Sequence, residues 1–515
     1  MAGIKFIYIS GNTVGAALVL ELCAAGLFLY FFFLAVYRLW LSPLAKFPGP
    51  ALNAISSLPI VVWALKGRLP METRKLHEKY GPIVRVSPNE LAFTSATAWQ
   101  DIYGHRPGRE DLLKSRRHAA SRDILPGVDS IGTGDNATHT HHRRAIAPAF
   151  TRKALWEQEP IVQGFVDKLM DNFHAYAKKG ETVDIGKWFN FLTFDVIGDL
   201  AFGESFNCLE TKQFHFWVAL VSHAMRMASM EQATRRLAKN GSALQALLFH
   251  LVPKRFKQKR RDFAGYNKEK VLRRINNTTT ERKDFLHYIL RKDNKYQLTH
   301  DEIIANSSAF IVAGSETTAM ALSALTNHLL HYPHVYQKLK DEIRGTFTSE
   351  DEINLKAVNA LPYLNACLEE NLRIFPPAPV AFSRVVQPEG DILDEMHIPG
   401  GTNVSVSTWC AHHSPLNFKD HDQFIPERWL EGNEEFKDDQ KLAFRPFSLG
   451  PRNCIGKDVS YLEMRLAASR MIWNFDFEAA DDLWEWDPEG DRRHMRAYLM
   501  WEKPELNVKL AKVER

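Results

Sequence analysis

The stretch Phe447-Ser448-Leu449-Gly450-Pro451-Arg452-Asn453-Cys454-Ile455-Gly456 decides how the chain is read. It sets one thiol between two glycines, with Arg452 two residues ahead and an apolar helical pattern (Tyr461, Leu462, Met464, Leu466) behind. Glycines permit tight turns and the close approach of a flat ligand. Arg452 supplies positive charge and the N-terminus of the following helix a partial one, and both favour a thiolate over a thiol. A thiolate in such a loop can ligate iron. A lone cysteine is more often an inert buried side chain, so the rest of the chain has to support the chemistry. The five cysteines (Cys23, Cys208, Cys367, Cys410, Cys454) form no CxxC pair, and so sparse a set in 515 residues reads as reduced thiols, not a disulfide framework.

Four further stretches precede this loop. Ala313-Gly314-Ser315-Glu316-Thr317-Thr318 interrupts a long apolar helical pattern over 301–331 with a glycine, an acid and adjacent β-branched residues. A mid-helix glycine costs about 1 kcal/mol, so the segment serves either close helix packing or chemistry. Glu370-Asn371-Leu372-Arg373 puts an acid and a guanidinium on one helix face, and Pro426-Glu427-Arg428-Trp429 follows in an irregular stretch. Far upstream, His139-Thr140-His141-His142-Arg143-Arg144 raises a zinc reading. The spacing does not place all three imidazoles on one helical face, and no cysteine or acid nearby completes a shell.

The loop resembles the haem-binding loop of the cytochrome P-450 family of haem-thiolate monooxygenases, whose pattern is Phe-x-x-Gly-x-Arg-x-Cys-x-Gly. At average residue usage its five fixed positions coincide by chance on the order of once in ten million starts. The other motifs stand in the family's order. The resemblance implies that Cys454 is the axial ligand of haem iron. It implies that 313–318 lies on the distal helix, with small residues leaving a groove for dioxygen and with Thr317 and Glu316 as the alcohol and acid that deliver protons. Glu370, Arg373 and Arg428 would form a buried structural network; the family more often has Phe where Trp429 stands. His139 and Arg143 match positions that hold haem propionates, with His in place of the usual Trp. Arg384 matches another propionate-binding arginine, and Arg452 also contacts the cofactor. Val380, Ala381 and Phe382 would face the substrate pocket or simply pack in the core.

The coarse pattern agrees with a mainly α fold with a small β portion. Helix-like spacing covers 154–178, 186–203, 211–235, 301–331 and 333–346; short extended segments fall at Ile83–Val86, Glu90–Thr94, Ser383–Val386 and Asn403–Thr408. Residues 412–446 look irregular. No GxGxxG follows a strand and no GxxxxGK[ST] occurs, so nucleotide-binding folds lack support. Apolar residues make 45% of the chain and the net charge is only +4, which gives no reason to propose nucleic acid as a partner.

From Val14 to Tyr37 there are 24 residues with one charge, Glu21, enough to span a bilayer. The run is longer than the apolar part of a signal peptide and ends in aromatics, so an uncleaved anchor is expected. Lys and Arg cluster after it (Arg38, Lys46, Lys66, Arg68), which places the rest in the cytosol, with Arg38 snorkelling to the headgroups. The expected organisation is an anchor over 1–46, a stiff hinge at Phe47-Pro48-Gly49-Pro50, and one haem domain over 47–515, on the endoplasmic reticulum membrane. Basic residues over 254–274 read as a solvated helix face or a contact with anionic membrane.

The resemblance further implies haem b, thiolate donation that favours O–O cleavage, and electrons from NADPH through a separate NADPH–cytochrome reductase, because only 61 residues follow Cys454. The substrate would be a lipophilic small molecule. The texture of 415–429 and 444–466 is similar to filamentous-fungal microsomal members that oxidise terpenoid or polyketide secondary metabolites, trichothecene hydroxylases among them. Two other readings stay open at this point: a haem-thiolate isomerase or dehydratase that needs no reductase, and a non-catalytic haem-binding membrane protein.

Overall fold

Thr299 starts the element around which the rest is arranged. Its side chain accepts the Glu302 N–H at 3.3 Å while Glu302 Oε2 accepts the Thr299 N–H at 2.8 Å, a reciprocal cap that satisfies two donors at the helix start. From there His300–His331 runs as one helix of 32 residues, about 48 Å long, with most of its length buried. It is the central helix of a computed structural model that describes residues 3–115, 125, 127–239, 241–277, 282–291, 293–483, 486–488 and 495–515.

The central helix packs along Ile185–Phe202, a helix buried on nearly every side. Gly314 is what lets the two approach: a Cβ there would lie 2.7 Å from Ile197 Cδ1. Arg152–Lys179, Pro362–Ile374 and Lys457–Asn474 complete the helical core, and Phe216–Leu237 lies over Leu58–Leu65 near the N-terminal side. Residues 412–446 carry no long helix, only three short 3₁₀ turns at Pro426–Trp429, Glu434–Phe436 and Lys441–Ala443.

A five-stranded sheet stands beside the helices in the order Ile83–Ser87, Glu90–Phe93, Asn403–Val406, Arg384–Val385, Leu113–Lys114. Glu90–Phe93 and Asn403–Val406 run parallel; the other pairs are antiparallel. The register sets Lys114 directly opposite Arg384, two cations side by side. A small C-terminal hairpin, Arg496–Ala497 against Trp501–Glu502, turns through Leu499, whose φ of 106° is strained for a residue with a side chain.

Near the N-terminus, Gly3–Val36 is one helix, and the side chains from Leu18 to Phe33 are exposed throughout. An apolar helix exposed over Leu18–Phe33 suits a membrane anchor, whereas the central helix, also apolar, is buried in protein. Three details refine or correct the sequence expectation. Phe47 is buried, the Arg85 N–H bonds Pro48 O at 2.7 Å, and a Cβ on Gly49 would meet Arg85 O at 2.4 Å, so the stiff Pro-Gly-Pro segment is also docked on the first strand. Arg38 turns back to donate to Ile55 O instead of reaching outward. The basic stretch 254–274 is helical, but Lys270 and Arg274 are buried and paired with Glu204 and Asp284, so it is not one solvated face.

Candidate active site

The cysteine loop is shaped by two residues with positive φ, Ser448 (60°) and Gly450 (75°). Only glycine fits at the second: a Cβ on Gly450 would sit 1.9 Å from Tyr103 O. The loop closes on itself through Cys454 N–H to Phe447 O at 2.9 Å and Asn453 N–H to Gly450 O at 3.0 Å. Arg143 clamps it from outside, donating to Asn453 O and to Asn453 Oδ1, both at 2.6 Å. The helix Lys457–Asn474 begins directly after Gly456.

Cys454 is accessible to solvent although the segments on either side are packed into the core through Phe447 and Ile455. Burial within the surrounding protein pushes its thiol above the ordinary range, while the Gly456 N–H and then Arg143 pull it down. The expected charge effect of Arg452 is thus not the operative one. Arg452 is turned away, donating to Gly134 O at 2.8 Å and Asn136 Oδ1 at 3.1 Å.

Arg452 belongs instead to a second cluster, with His139, Arg384 and Lys114. Arg384 lies over the Tyr103 ring at 4.9 Å and donates to Phe382 O at 3.2 Å; Lys114 donates to Gly132 O. None of the four forms an ion pair among the described residues. Burial lowers each, and the neighbouring cations lower three of them further. Lys114 falls to about 7 under Arg384 and Arg452, His139 to about 4, and Arg452 to about 10, with Asp135 and Asp111 offsetting the last only in part. His139 is therefore neutral at pH 7 and keeps a single ring N–H donor. Sequence reading missed Lys114. Its signal was the cross-strand register to Arg384, which no motif reports.

On the central helix, Ala313 is exposed in a run that is otherwise largely buried. Thr317, one turn on, donates to Ala313 O at 2.6 Å. Gly314 serves helix packing against Ile197, the packing reading of this segment. Glu316 and Thr317 are not bonded to each other. Glu316 Oε2 is 3.8 Å from Lys503 Nζ instead.

Val380, Ala381 and Phe382 line one cavity with Lys114, Ser229, Tyr498 and Leu499. The last three had no sequence signal. A buried ion pair, Glu90 with Arg236 at 3.3 Å, borders the same cavity. The histidine run divides: His142, fully buried, contacts Glu302 Oε1 at 3.2 Å and Asn306 Nδ2 at 3.3 Å, His139 joins the cations, and half-buried His141 faces Gln297 O at 3.2 Å.

The Glu-x-x-Arg helix and the irregular tetrapeptide do meet. Glu370 accepts from Arg373 Nε and Nη2, each at 2.8 Å, from Arg428 Nε at 3.0 Å and from the Ile425 N–H at 2.9 Å. Trp429 adds its indole N–H to Glu370 Oε2 at 2.9 Å, a bond that the more usual Phe could not make. Asp439 completes the set against Arg428 at 2.5 Å. Burial pushes the Glu370 carboxyl up, yet Arg373 and Arg428 hold it below the ordinary range. His412 carries the network to the cysteine loop: it faces Arg373 O at 3.1 Å and accepts the Arg445 N–H at 3.1 Å, and Arg445 O receives the Ser448 N–H.

Comparison with known proteins fits this geometry. A family model described as Cytochrome P-450 matches residues 49–501. Cytochrome P-450 monooxygenase aba2 of Botryotinia fuckeliana is 41% identical over 488 residues, covering 93% of this chain and 92% of its own. Cytochrome P-450 monooxygenase atr2 of Stereocaulon alpinum is 41% identical (93% and 92%), and aclL of Aspergillus oryzae 38% (94% and 96%).

Proposed function

The chain belongs to the cytochrome P-450 family as a haem-thiolate monooxygenase, and from that premise we propose that it oxidises a lipophilic secondary metabolite, a terpenoid or polyketide, at a membrane surface. The residues present suit haem b. An accessible cysteine in a glycine loop is a ready iron ligand, and a nest of cations without an ion pair among the described residues suits two propionates. When bound, haem supplies the activation of dioxygen and the transfer of one oxygen atom to substrate. The chain's residues do the rest.

In this reading Cys454 ligates the iron, Arg384, Arg452, His139 and Lys114 hold the propionates, and Arg143 acts mainly by holding Asn453 and the loop. Thr317 and Glu316 supply protons to the distal side. Val380, Ala381, Phe382 and the hairpin tip at Leu499 position a mainly apolar substrate. Electrons come from NADPH through a membrane-bound reductase, as the family generally uses a redox partner. The exposed N-terminal helix and the Lys/Arg excess after it support a single-pass anchor in the endoplasmic reticulum with the body in the cytosol.

The observation that carries the reading is the accessible Cys454 near a cation cluster that forms no ion pair among the described residues and that Asp111 and Asp135 offset only in part. Its test is a reduced-plus-CO difference spectrum of membranes bearing the wild type or Cys454→Ser. A strongly red-shifted Soret band in the wild type alone is the expected result. A wild type that takes up haem without that band overturns the thiolate assignment.

A further inference from the structure

The cavity lined by Val380, Ala381, Phe382 and Leu499 is not apolar all round. Ser229, Gln232 and Arg236 stand three and four residues apart on Phe216–Leu237, so one face of that helix brings a hydroxyl, an amide and a guanidinium to the space. The sheet supplies Glu90 and, one strand over, Ser405, which pairs with Ala92 in the parallel register. Glu90, Ala92 and Ser405 therefore share one face of the sheet. Each of these polar side chains is more than nine-tenths buried.

They are not equally occupied. Ser229 donates to Ala64 O at 3.0 Å, a bond complete within the protein. Arg236 and Glu90 meet through two contacts of 3.3 and 3.5 Å, longer than the about 2.7–2.9 Å of a tight charged pair. The hydroxyls of Ser405 and of Ser383, which lines the same cavity, make no hydrogen bond with any described residue. A hydroxyl shut in a pocket without a partner costs free energy unless whatever fills the pocket supplies one. The sheet also gives the cavity a direction. Lys114, a member of the cation cluster that Arg452 of the cysteine loop joins, lines it from the edge strand Leu113–Lys114. Glu90 stands three strands away, roughly 14 Å at the usual spacing. One end thus borders the proposed cofactor site, and the polar pair lies at the other.

We propose that the substrate carries a neutral hydroxyl at the end away from the carbon that is oxidised, and that Glu90, Arg236 and Ser405 are the specificity-determining residues that hold it. The inference rests on the reading of this cavity as the substrate site of a monooxygenase. A hydroxyl both donates and accepts, and a carboxylate and a guanidinium side by side offer the complement of each. A carboxylate in that place would face the Glu90 anion and would have to draw Arg236 away from it. A bare hydrocarbon would leave Ser405 without a partner and press carbon against the ion pair, a loss of the kind that lets a polar site reject the analogue lacking its hydroxyl. The skeleton therefore arrives already oxygenated. A hydroxylation or a carbonyl reduction precedes this step, and the oxygen added here goes to the opposite end and leaves the first hydroxyl intact.

Matched probes test this on full-length, haem-loaded protein in nanodiscs: limonene, perillyl alcohol and perillic acid; farnesene, farnesol and farnesoic acid; and the corresponding geranylgeranyl hydrocarbon, alcohol and acid. Binding is read by equilibrium dialysis and by the spin-state shift. The alcohol should bind about tenfold or more tighter than both the hydrocarbon and the acid on at least one skeleton, as for one hydrogen bond to a charged group. In Ser405→Ala the alcohol should lose about twofold to tenfold and the hydrocarbon far less. Glu90→Gln, which releases Arg236, should turn the preference toward the acid. Glu90→Leu with Arg236→Met, made together so that neither charge is left buried alone, should abolish the preference for the alcohol over the hydrocarbon. Equal binding of alcohol and hydrocarbon on every skeleton, including no binding of any probe, overturns the proposal, as does a preference that survives the double variant. Tightest binding of the acid by wild type assigns the site to a carboxylate and overturns it too. With the CO band intact these outcomes strike the proposal alone; a wild type without that band overturns the monooxygenase reading beneath it.

Discussion

Two clusters of buried charge lie on either side of the cysteine loop, and they are built on opposite principles. In the first, Glu370 and Asp439 face Arg373 and Arg428, two negative and two positive groups, each side chain almost wholly buried and bonded to the others or to backbone carbonyls. In the second, Arg384, Arg452, Lys114 and the neutral His139 bond, among the described residues, only backbone carbonyls and one asparagine, and their charges depress one another. A neutral buried network is complete within the chain and holds a shape. A buried cluster with net charge is tolerated only if something outside the chain neutralises it. The contrast supports assigning the first cluster to building the loop and proposing the second for holding a ligand.

The largest effect should follow from breaking the balanced cluster. Glu370→Gln leaves Arg373 and Arg428 without their shared carboxylate and should destabilise the fold by about 3–5 kcal/mol, the range for stripping one partner from a buried pair. Thermal unfolding and haem uptake on expression would both report it. A folded, haem-loaded Glu370→Gln protein would mean that the balance at this cluster is incidental.

The unbalanced cluster should respond with the opposite sign in the apoprotein. Lys114→Met removes a repelled cation, so the haem-free protein should melt no lower than wild type. Haem loss to apomyoglobin should become about tenfold to a hundredfold faster, as expected for losing a charged hydrogen bond of about 1.5–3 kcal/mol. Lower apoprotein stability together with unchanged haem loss would place Lys114 among the structural residues instead. The same cluster predicts a pH signature. Lys114 titrates near 7 in the fold against an ordinary 10.5, and His139 near 4 against 6.5, so the unfolded chain binds more protons between those values. Apoprotein stability should therefore rise with pH from about 4 to 6.5 and again from about 7 to 10.5, and haem should flatten both rises. Urea midpoints of apo and holo protein across that range would show it. Parallel curves would remove the link between these groups and the cofactor.

What the sequence disclosed follows the same division. Contacts within a helical turn or a short loop leave a local pattern, so the long helices, the glycine-bounded cysteine and the Glu370–Arg373 pair were legible. The docking of Arg428 on Glu370 needed the family resemblance, because 58 residues separate them. Asp439 and Lys114 were not legible at all. Each acquires its meaning from a partner brought by tertiary structure, Arg428 in one case and a cross-strand arginine in the other. Arg452 was read correctly as a cation near the thiol and wrongly as acting on it, since two residues along a tight loop reverse the direction of a side chain. The docked Pro48–Pro50 segment shows the same limit: proline and glycine announce a bend, and only the packing of Gly49 on Arg85 shows that the bend is fixed.

The smallest expected effect concerns Trp429, and it tests how closely the balanced cluster is tuned. The indole N–H is a neutral donor to a carboxylate that Arg373 already engages through two nitrogens, so its removal leaves no buried charge unpaired. Trp429 also packs at a tilt against Phe444, ring centroids 4.6 Å apart, at the approach to the cysteine loop, and a phenyl ring can keep much of that contact. Trp429→Phe should therefore cost about 1 kcal/mol, the usual size of one hydrogen bond, with the CO band and turnover unchanged. A loss near that of Glu370→Gln would mean that Glu370 depends on all of its donors together, and that the network acts as one unit and not as a sum of pairs. Pairing Trp429→Phe with Arg428→Lys in a double-mutant cycle measures that coupling directly: additivity supports separable bonds, and a marked departure from it supports a single cooperative cluster.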